Sequence, residues 1–180
     1  MTGVEPSAEA CRHLAARGID ARHGTLDAVP LEAEEYDVAV FNHALEHVNE
    51  PRRMLREIAE LLTPGGVLFV IVPNVESLAC RVLHQRAATF DGRNHLIYFS
   101  PRTLTAMLDA EGFDAVETHT RIASLDPVLE WLAYENPYSG ADTGDDSLGK
   151  ALRRRQADVE RLLEELQLGY KLHCLARKRV

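Results

Sequence analysis

The chain has 180 residues, 46% hydrophobic and 27% charged side chains, and a formal net charge of −8, the make-up of an ordinary globular protein. That acidic balance excludes non-specific nucleic-acid binding, which needs a net basic face, and neither an apolar run of about 18 residues nor a basic-then-apolar leader is present. Cys11, Cys80 and Cys174 are an odd, scattered set, so reduced thiols and a cytoplasmic location are expected.

In chain order, Gly3-Val4-Glu5 reads as the end of a short strand. Ser7 then caps a helix with Ala10, Cys11 and Leu14 inward, closed by Gly18. A turn-rich segment follows, Gly24-Thr25-Leu26-Asp27-Ala28-Val29-Pro30-Leu31. Tyr36 to Phe41 is a short apolar run, as a buried parallel strand requires. Asn42-His43-Ala44-Leu45-Glu46-His47 then places titratable groups just past the strand's carboxyl end, the edge where open α/β sheets bind ligands. Asn49 is the expected cap of a helix with Pro51 in its first turn and Met54, Leu55, Ile58, Leu61 and Leu62 on one face. Thr63-Pro64-Gly65-Gly66 ends it, the two glycines serving the stop and a positive φ. Val67 to Val72 is a second buried strand, ending at Pro73-Asn74. Ser100 caps a further helix with Pro101 first, Leu104, Met107 and Leu108 inward and Gly112 at its end. Phe113 to Arg121 alternates as a strand. A short helix is expected around Asp126 to Tyr134, a Gly-, Asp- and Ser-rich linker over 135–146, and one longer helix between Ser147 and Leu168. That helix sets Leu152, Val159, Leu162, Leu163 and Leu166 on one side; Arg153 to Arg155 near its start and Glu164 and Glu165 near its end oppose its dipole.

The stretch from Tyr36 to Asn74 resembles the small-molecule branch of the class I S-adenosylmethionine-dependent methyltransferases. Tyr36-Asp37, Leu45-Glu46-His47, Pro51, Leu61-Leu62, Pro64-Gly65-Gly66 and Pro73-Asn74 carry the resemblance. Each is weak alone; their order and spacing are specific. Asn94-His95-Leu96-Ile97-Tyr98-Phe99-Ser100-Pro101 extends it, so that it covers residues 3–122 and a final strand from Tyr170 to Ala176. The resemblance implies an α/β fold: a Rossmann-like doubly wound sheet, mostly parallel with an antiparallel last strand. It implies a single domain over 1–180, with 124–168 a helical insertion between the last two strands. It implies S-adenosylmethionine as cofactor. Glu5 would accept from both ribose hydroxyls, Thr25, Leu26 and Asp27 would lie by the adenine, and Asn42 and His43 would follow the strand beside the cofactor. Thr25 stands where the family usually has Asp, and Asp27 is the alternative contact. The family's first strand and Gly-x-Gly-x-Gly turn precede the acidic strand, and no such turn occurs in this sequence. A central strand is therefore expected to be missing, through a late start codon, an incomplete gene or a shortened polypeptide, and weak cofactor binding is expected of the chain alone.

The expected reaction is methyl transfer to a small-molecule acceptor at a hydroxyl oxygen. The sulfonium methyl group is already activated, so the protein's task is alignment, with a base if a hydroxyl attacks. His95 and His43 are the catalytic candidates, because imidazole titrates near neutrality. A loop-anchoring hydrogen bond is the competing role for His95, and a partly exposed loop ring for His43. Glu46 is equally explained by a bond to a backbone amide, and His47 by packing at a helix entrance. His13, His23, His84, His119 and His173 have no nameable partner. The expected partner is a small-molecule substrate, with neither nucleic acid nor membrane, and the insertion leaves room for a homodimer. No His-x-x-x-His or Cys-x-x-Cys spacing occurs, so no metal site is expected, and there is no Gly-x-Ser-x-Gly elbow. Whether the chain is itself an enzyme stays open. One alternative is a non-catalytic module of the methyltransferase fold used for protein association, its open strand edges inviting another chain. A nicotinamide dehydrogenase is another; the 42–47 and 94–100 segments speak against it.

Overall fold

A computed structural model describes residues 1–134 and 147–180; the expected linker lies outside the described residues. Strand β1 (Thr2–Glu5) runs into α1 (Ala8–Ala15), whose Ser7 cap accepts from the Ala10 N–H, and the chain returns in β2 (Asp20–His23), parallel to β1. Then come β3 (Tyr36–Asn42), a 3-10 turn at Leu45–His47, α2 (Pro51–Leu61) and β4 (Leu62–Pro73). After β4 follow α3 (Leu78–Leu83), α4 (Pro101–Ala110), β5 (Phe113–Arg121), α5 (Asp126–Tyr134), α6 (Ser147–Arg154), α7 (Gln156–Glu165) and β6 (Lys171–Lys178).

The strands form two sheets, β1-β2 and β3-β4-β6-β5. β3 and β4 are parallel, whereas β6 is antiparallel to both β4 and β5. The doubly wound sheet is in two parts: among the described residues no ladder joins β1 or β2 to β3.

Alternation along β4 shows which face is covered. Leu68, Val70 and Val72 are buried while Phe69 and Ile71 are half-buried. The buried set packs with Leu55 and Ile58 of α2, Leu104 and Leu108 of α4, and Leu172, Cys174 and Ala176 of β6 in the main core. On β3 the residues of the opposite face, Val38 and Val40, are 56% and 59% exposed.

Several elements differ from their expected form. Glu50, not Asn49, occupies the cap of α2, and it makes no side-chain capping bond; Pro51 at the first position needs no N–H acceptor, so little is lost. β4 begins at Leu62 rather than Val67. Tyr36 pairs with Leu62 and Val38 with Val67, so a bulge absorbs Thr63 to Gly66. Gly65 has φ 73°, as a bulge in the left-handed region favours. Gly66 is required by space, since a Cβ there would stand 2.9 Å from the Thr63 carbonyl oxygen. The longer helix is two helices, broken at Arg155, whose φ of −119° and ψ of 27° leave the helical region. The break puts Arg153 and Arg154 in the last turn of α6, where positive charge complements the dipole. It also turns Leu162 and Leu166 outward, leaving Leu163, Val159 and Leu152 to pack with Leu125 and Leu129.

Candidate functional site

The carboxyl ends of β1 and β3 carry most of the residues singled out from the sequence. β1 ends on Glu5. Its Oε1 accepts from the Ser7 N–H at 2.7 Å, which holds the carboxylate at the entrance to α1. Its backbone carbonyl accepts from the Gly24 N–H at 3.1 Å, so the turn that contains Thr25 to Asp27 lies against the end of β1. Gly24 has φ 149°, and a Cβ there would meet the Val29 side chain at 2.9 Å. Within the turn, the Thr25 carbonyl accepts from the N–H groups of Ala28 and Val29. A hydrogen bond from Thr25 holds the exposed Asp27 carboxyl below its usual range, with help from Arg53. Leu26 packs against the main core.

β3 ends on Asn42, and the next residue takes an unusual backbone. His43 has φ 53°, the left-handed region that a non-glycine residue occupies only when its surroundings over-determine it. Its N–H donates to the Ile71 carbonyl at 2.9 Å, which ties it to β4. The left-handed turn starts the Leu45–His47 element, in which Leu45 and Glu46 are buried.

Glu46 is the centre of the site. The side chain is 1% exposed, and its Oε1 lies 3.1 Å from His43 Nδ1 and 3.9 Å from His47 Nε2. Its Oε2 is buried with no hydrogen-bond partner. Its carbonyl accepts from the Leu96 and Ile97 N–H groups, which draws the 94–97 segment over the end of β3. That segment is ordered by Asp91, whose Oδ1 accepts from the N–H groups of Arg93, Asn94 and His95, each at 3.1 Å. These bonds, led by that from His95, hold the Asp91 carboxyl far below the usual carboxylate range.

The backbone fixes the tautomers of two rings. His47 Nδ1 lies 2.8 Å from the Asn94 carbonyl oxygen and His95 Nδ1 lies 2.8 Å from the Thr89 carbonyl oxygen. A carbonyl only accepts, so each Nδ1 carries the proton, and in the neutral ring each Nε2 keeps a bare lone pair. The ring centroids are 5.0 Å apart. One donor atom each from Glu46, His47 and His95 falls within 4.8 Å of the others.

Of the residues expected in the site, His43 and His95 therefore meet at Glu46. Glu5 and the 25–27 turn meet at the end of β1. The loop-anchoring bond weighed for His95 exists, but it uses Nδ1 only. Sequence alone explains Glu46 and His47 by structural roles. Their membership of the site is made by contacts with residues 94–97, which no local spacing displays; the local clue is three titratable residues within 43–47.

A family profile described as methyltransferase domain matches residues 1–118. A ubiquinone biosynthesis O-methyltransferase of Parvibaculum lavamentivorans is 32% identical over 85 residues, 47% of this chain and 31% of that protein. A probable S-adenosylmethionine-dependent methyltransferase of Mycolicibacterium smegmatis is 28% identical over 126 residues, 66% of this chain and 45% of that one. The chain therefore spans less than half the length of these curated relatives. Among solved structures, a SAM-dependent methyltransferase from Thermotoga maritima superposes with a TM-score of 0.63 at 20% identity, covering 98% of this chain and 72% of that chain. That likeness shows a Rossmann-like methyltransferase fold. Among the described residues, no helix is long and apolar enough to cross a membrane.

Proposed function

Because this chain belongs to the class I S-adenosylmethionine-dependent methyltransferase family of small-molecule enzymes, we propose that it serves methyl transfer to a hydroxyl oxygen of a small-molecule acceptor. The observation that carries the acceptor type is the gathering of His43, His47 and His95 around one buried carboxylate just past β3. A hydroxyl must lose its proton as it attacks, and this gathering supplies lone pairs for that proton.

Glu5 fits the cofactor. One of its oxygens is engaged by the Ser7 N–H, and an ionised carboxylate keeps further acceptor sites for ribose hydroxyls. Thr25, Leu26 and Asp27 would flank the adenine through a turn fixed by its own hydrogen bonds, with Leu26 contributing backbone because its side chain is in the core. Asn42 and His43 would border the reacting end. When bound, the cofactor supplies an activated methyl group on sulfur. His95 is proposed as the base: its Nδ1–H is spent on the Thr89 carbonyl, leaving Nε2 to take the hydroxyl proton. His43 braces the Glu46 carboxylate and is the second catalytic candidate. Residues 1–180 are proposed as one domain, with 124–168 an insertion between the last two strands.

The test has two readouts. In a polypeptide that also carries the family's first strand and Gly-x-Gly-x-Gly turn, calorimetry with S-adenosylmethionine should show Glu5→Gln weakening binding by about 1.5 kcal/mol or more, the value of a charge-assisted hydrogen bond; unchanged affinity removes Glu5 from the site. In the same longer polypeptide, with radiolabelled cofactor and a panel of phenolic and sugar acceptors, His95→Ala should lower kcat by about 10²-fold or more with Tm little changed. Full turnover with a large loss of Tm would make His95 a structural anchor.

A further inference from the structure

We infer that Glu46, His47 and His95 form a binding site for a borderline divalent transition-metal ion of the Zn²⁺ class. Three independent features point there. One donor atom of each lies within 4.8 Å of the others, and His47 Nε2 stands 3.9 Å from Glu46 Oε1. Both imidazoles are locked, by Nδ1–H bonds to backbone carbonyls, in the tautomer that leaves Nε2 as a ligand, the arrangement that orients metal-bound histidines generally. The carboxylate between them is almost fully buried, with Oε1 on His43 and Oε2 unpartnered. A buried carboxylate with one oxygen unpartnered is costly, and a cation held through Oε1, the oxygen that faces His47 Nε2, offsets the charge of the whole group.

Two imidazole nitrogens with one carboxylate oxygen suit Zn²⁺ and its first-row neighbours rather than Mg²⁺ or Ca²⁺, which take oxygen ligands. A tetrahedral ion with bonds of about 2.0–2.2 Å sets its donors about 3.4 Å apart. The His47 Nε2 to Glu46 Oε1 pair, at 3.9 Å, needs to close by about half an ångström to meet that spacing. Three protein ligands leave a position open, and the His47 side chain is 39% exposed, so the open side is reachable. His43, hydrogen-bonded to Glu46, is then an outer partner that orients the carboxylate.

The role of the ion rests on the hydroxyl-acceptor reading above, whereas its binding does not. The acceptor hydroxyl would occupy the open position, its pKa lowered by the ion and its proton released to solvent water, while the oxygen keeps the lone pairs with which it attacks. The His95 Nε2 lone pair serves one role at a time: it is a ligand when the ion is bound, and the base of the reading above only in the ion-free site.

The experiment titrates the full chain with Co²⁺ and reads visible d–d absorption, without acceptor or cofactor. Expected are one equivalent bound with no thiolate charge-transfer band, displacement by Zn²⁺, and no displacement by excess Mg²⁺. His47→Ala, His95→Ala and Glu46→Gln should each weaken Co²⁺ binding by at least about 10-fold, with far-UV circular dichroism unchanged for the two histidine variants, whose rings are not fully buried. Absence of Co²⁺ binding by the wild type overturns the proposal, and so does binding that survives both folded histidine variants. If Co²⁺ binds as described while no acceptor is methylated, the cation site stands and the hydroxyl reading falls. If a hydroxyl acceptor is methylated while neither Co²⁺ nor Zn²⁺ binds, the hydroxyl reading stands and the cation site falls.

Discussion

His173 shows how one half-buried ring becomes a pH sensor. Its imidazole is held below the ordinary value, chiefly by burial and then by the charges of His119, Arg121, Lys171 and His43. Its Nε2 and the Nδ1 of His119 are buried without a hydrogen-bond partner, with Glu117 Oε1 3.4 Å from the latter, and the two rings stand 5.0 Å apart. Protonation is therefore easier in the unfolded chain. Below the ordinary histidine value of about 6.5 the unfolded state binds more protons, so stability is full above that pH and falls as pH drops toward the folded value. Thermal melts from about pH 7.5 down to 5 should show Tm falling in the wild type, with the slope reduced in His173→Gln; parallel slopes would remove His173 as the cause. The same scale shows what sequence can carry about a site. Glu5 and His43 are legible because each lies at the carboxyl end of a strand, and position along a strand is local information. Glu46 and His47 follow the same strand end, but from the sequence each is equally explained by a structural role. Their significance comes from the Leu96 and Ile97 N–H groups and the Asn94 carbonyl, which reach them only through the fold.

At the scale of elements, α4 and β5 match expectation because strong local signals agree. Ser100 and Thr103 form a reciprocal capping box, Gly112 has φ 87°, and a strand opens at Phe113, although a bulge at Ala115–Glu117 breaks its expected alternation and leaves Val116 exposed. The α6–α7 break has no such signal, since Arg155 is a good helix former and only the packing of α7 on β5 and α5 dictates the turn. Gly169 is equally silent in the sequence. A Cβ on it would stand 2.7–2.8 Å from the backbone N, C and O of Arg121, and its N–H donates to Thr120 Oγ1 at 2.9 Å. Its neighbourhood is tied again by Asn74, whose Nδ2 donates to the Gln167 and Gly169 carbonyls. Gly169→Ala must push β5 away from the entry to β6, an overpacking cost of about 1–3 kcal/mol. Urea unfolding should show that loss. Gly3→Ala, where the nearest atom is 3.7 Å away, should stay within about 0.5 kcal/mol; equal effects would mean the close approach at Arg121 is easily relieved.

Across the whole molecule, the main sheet is covered unevenly. Its inner face holds the core, while Val38 and Val40 stand more than half exposed on a strand whose only ladder partner among the described residues is β4. Apolar side chains beside an unpaired edge favour self-association. Val38→Thr with Val40→Lys should lower concentration-dependent light scattering with little change in Tm. Unchanged scattering would mean this strand is not where copies meet.

The middle of the main sheet is filled by its last-made part: β6 lies between β4 and β5, antiparallel to both. As the polypeptide emerges from a ribosome, β4 and β5 are complete while the strand that joins them is still unmade. Assembly of this sheet must wait for residues 171–178, and until they arrive the nascent chain displays two open edges. Translation speed through residues 171–178, and chaperones that shield edges during that interval, therefore bear on how much of this protein reaches its native state.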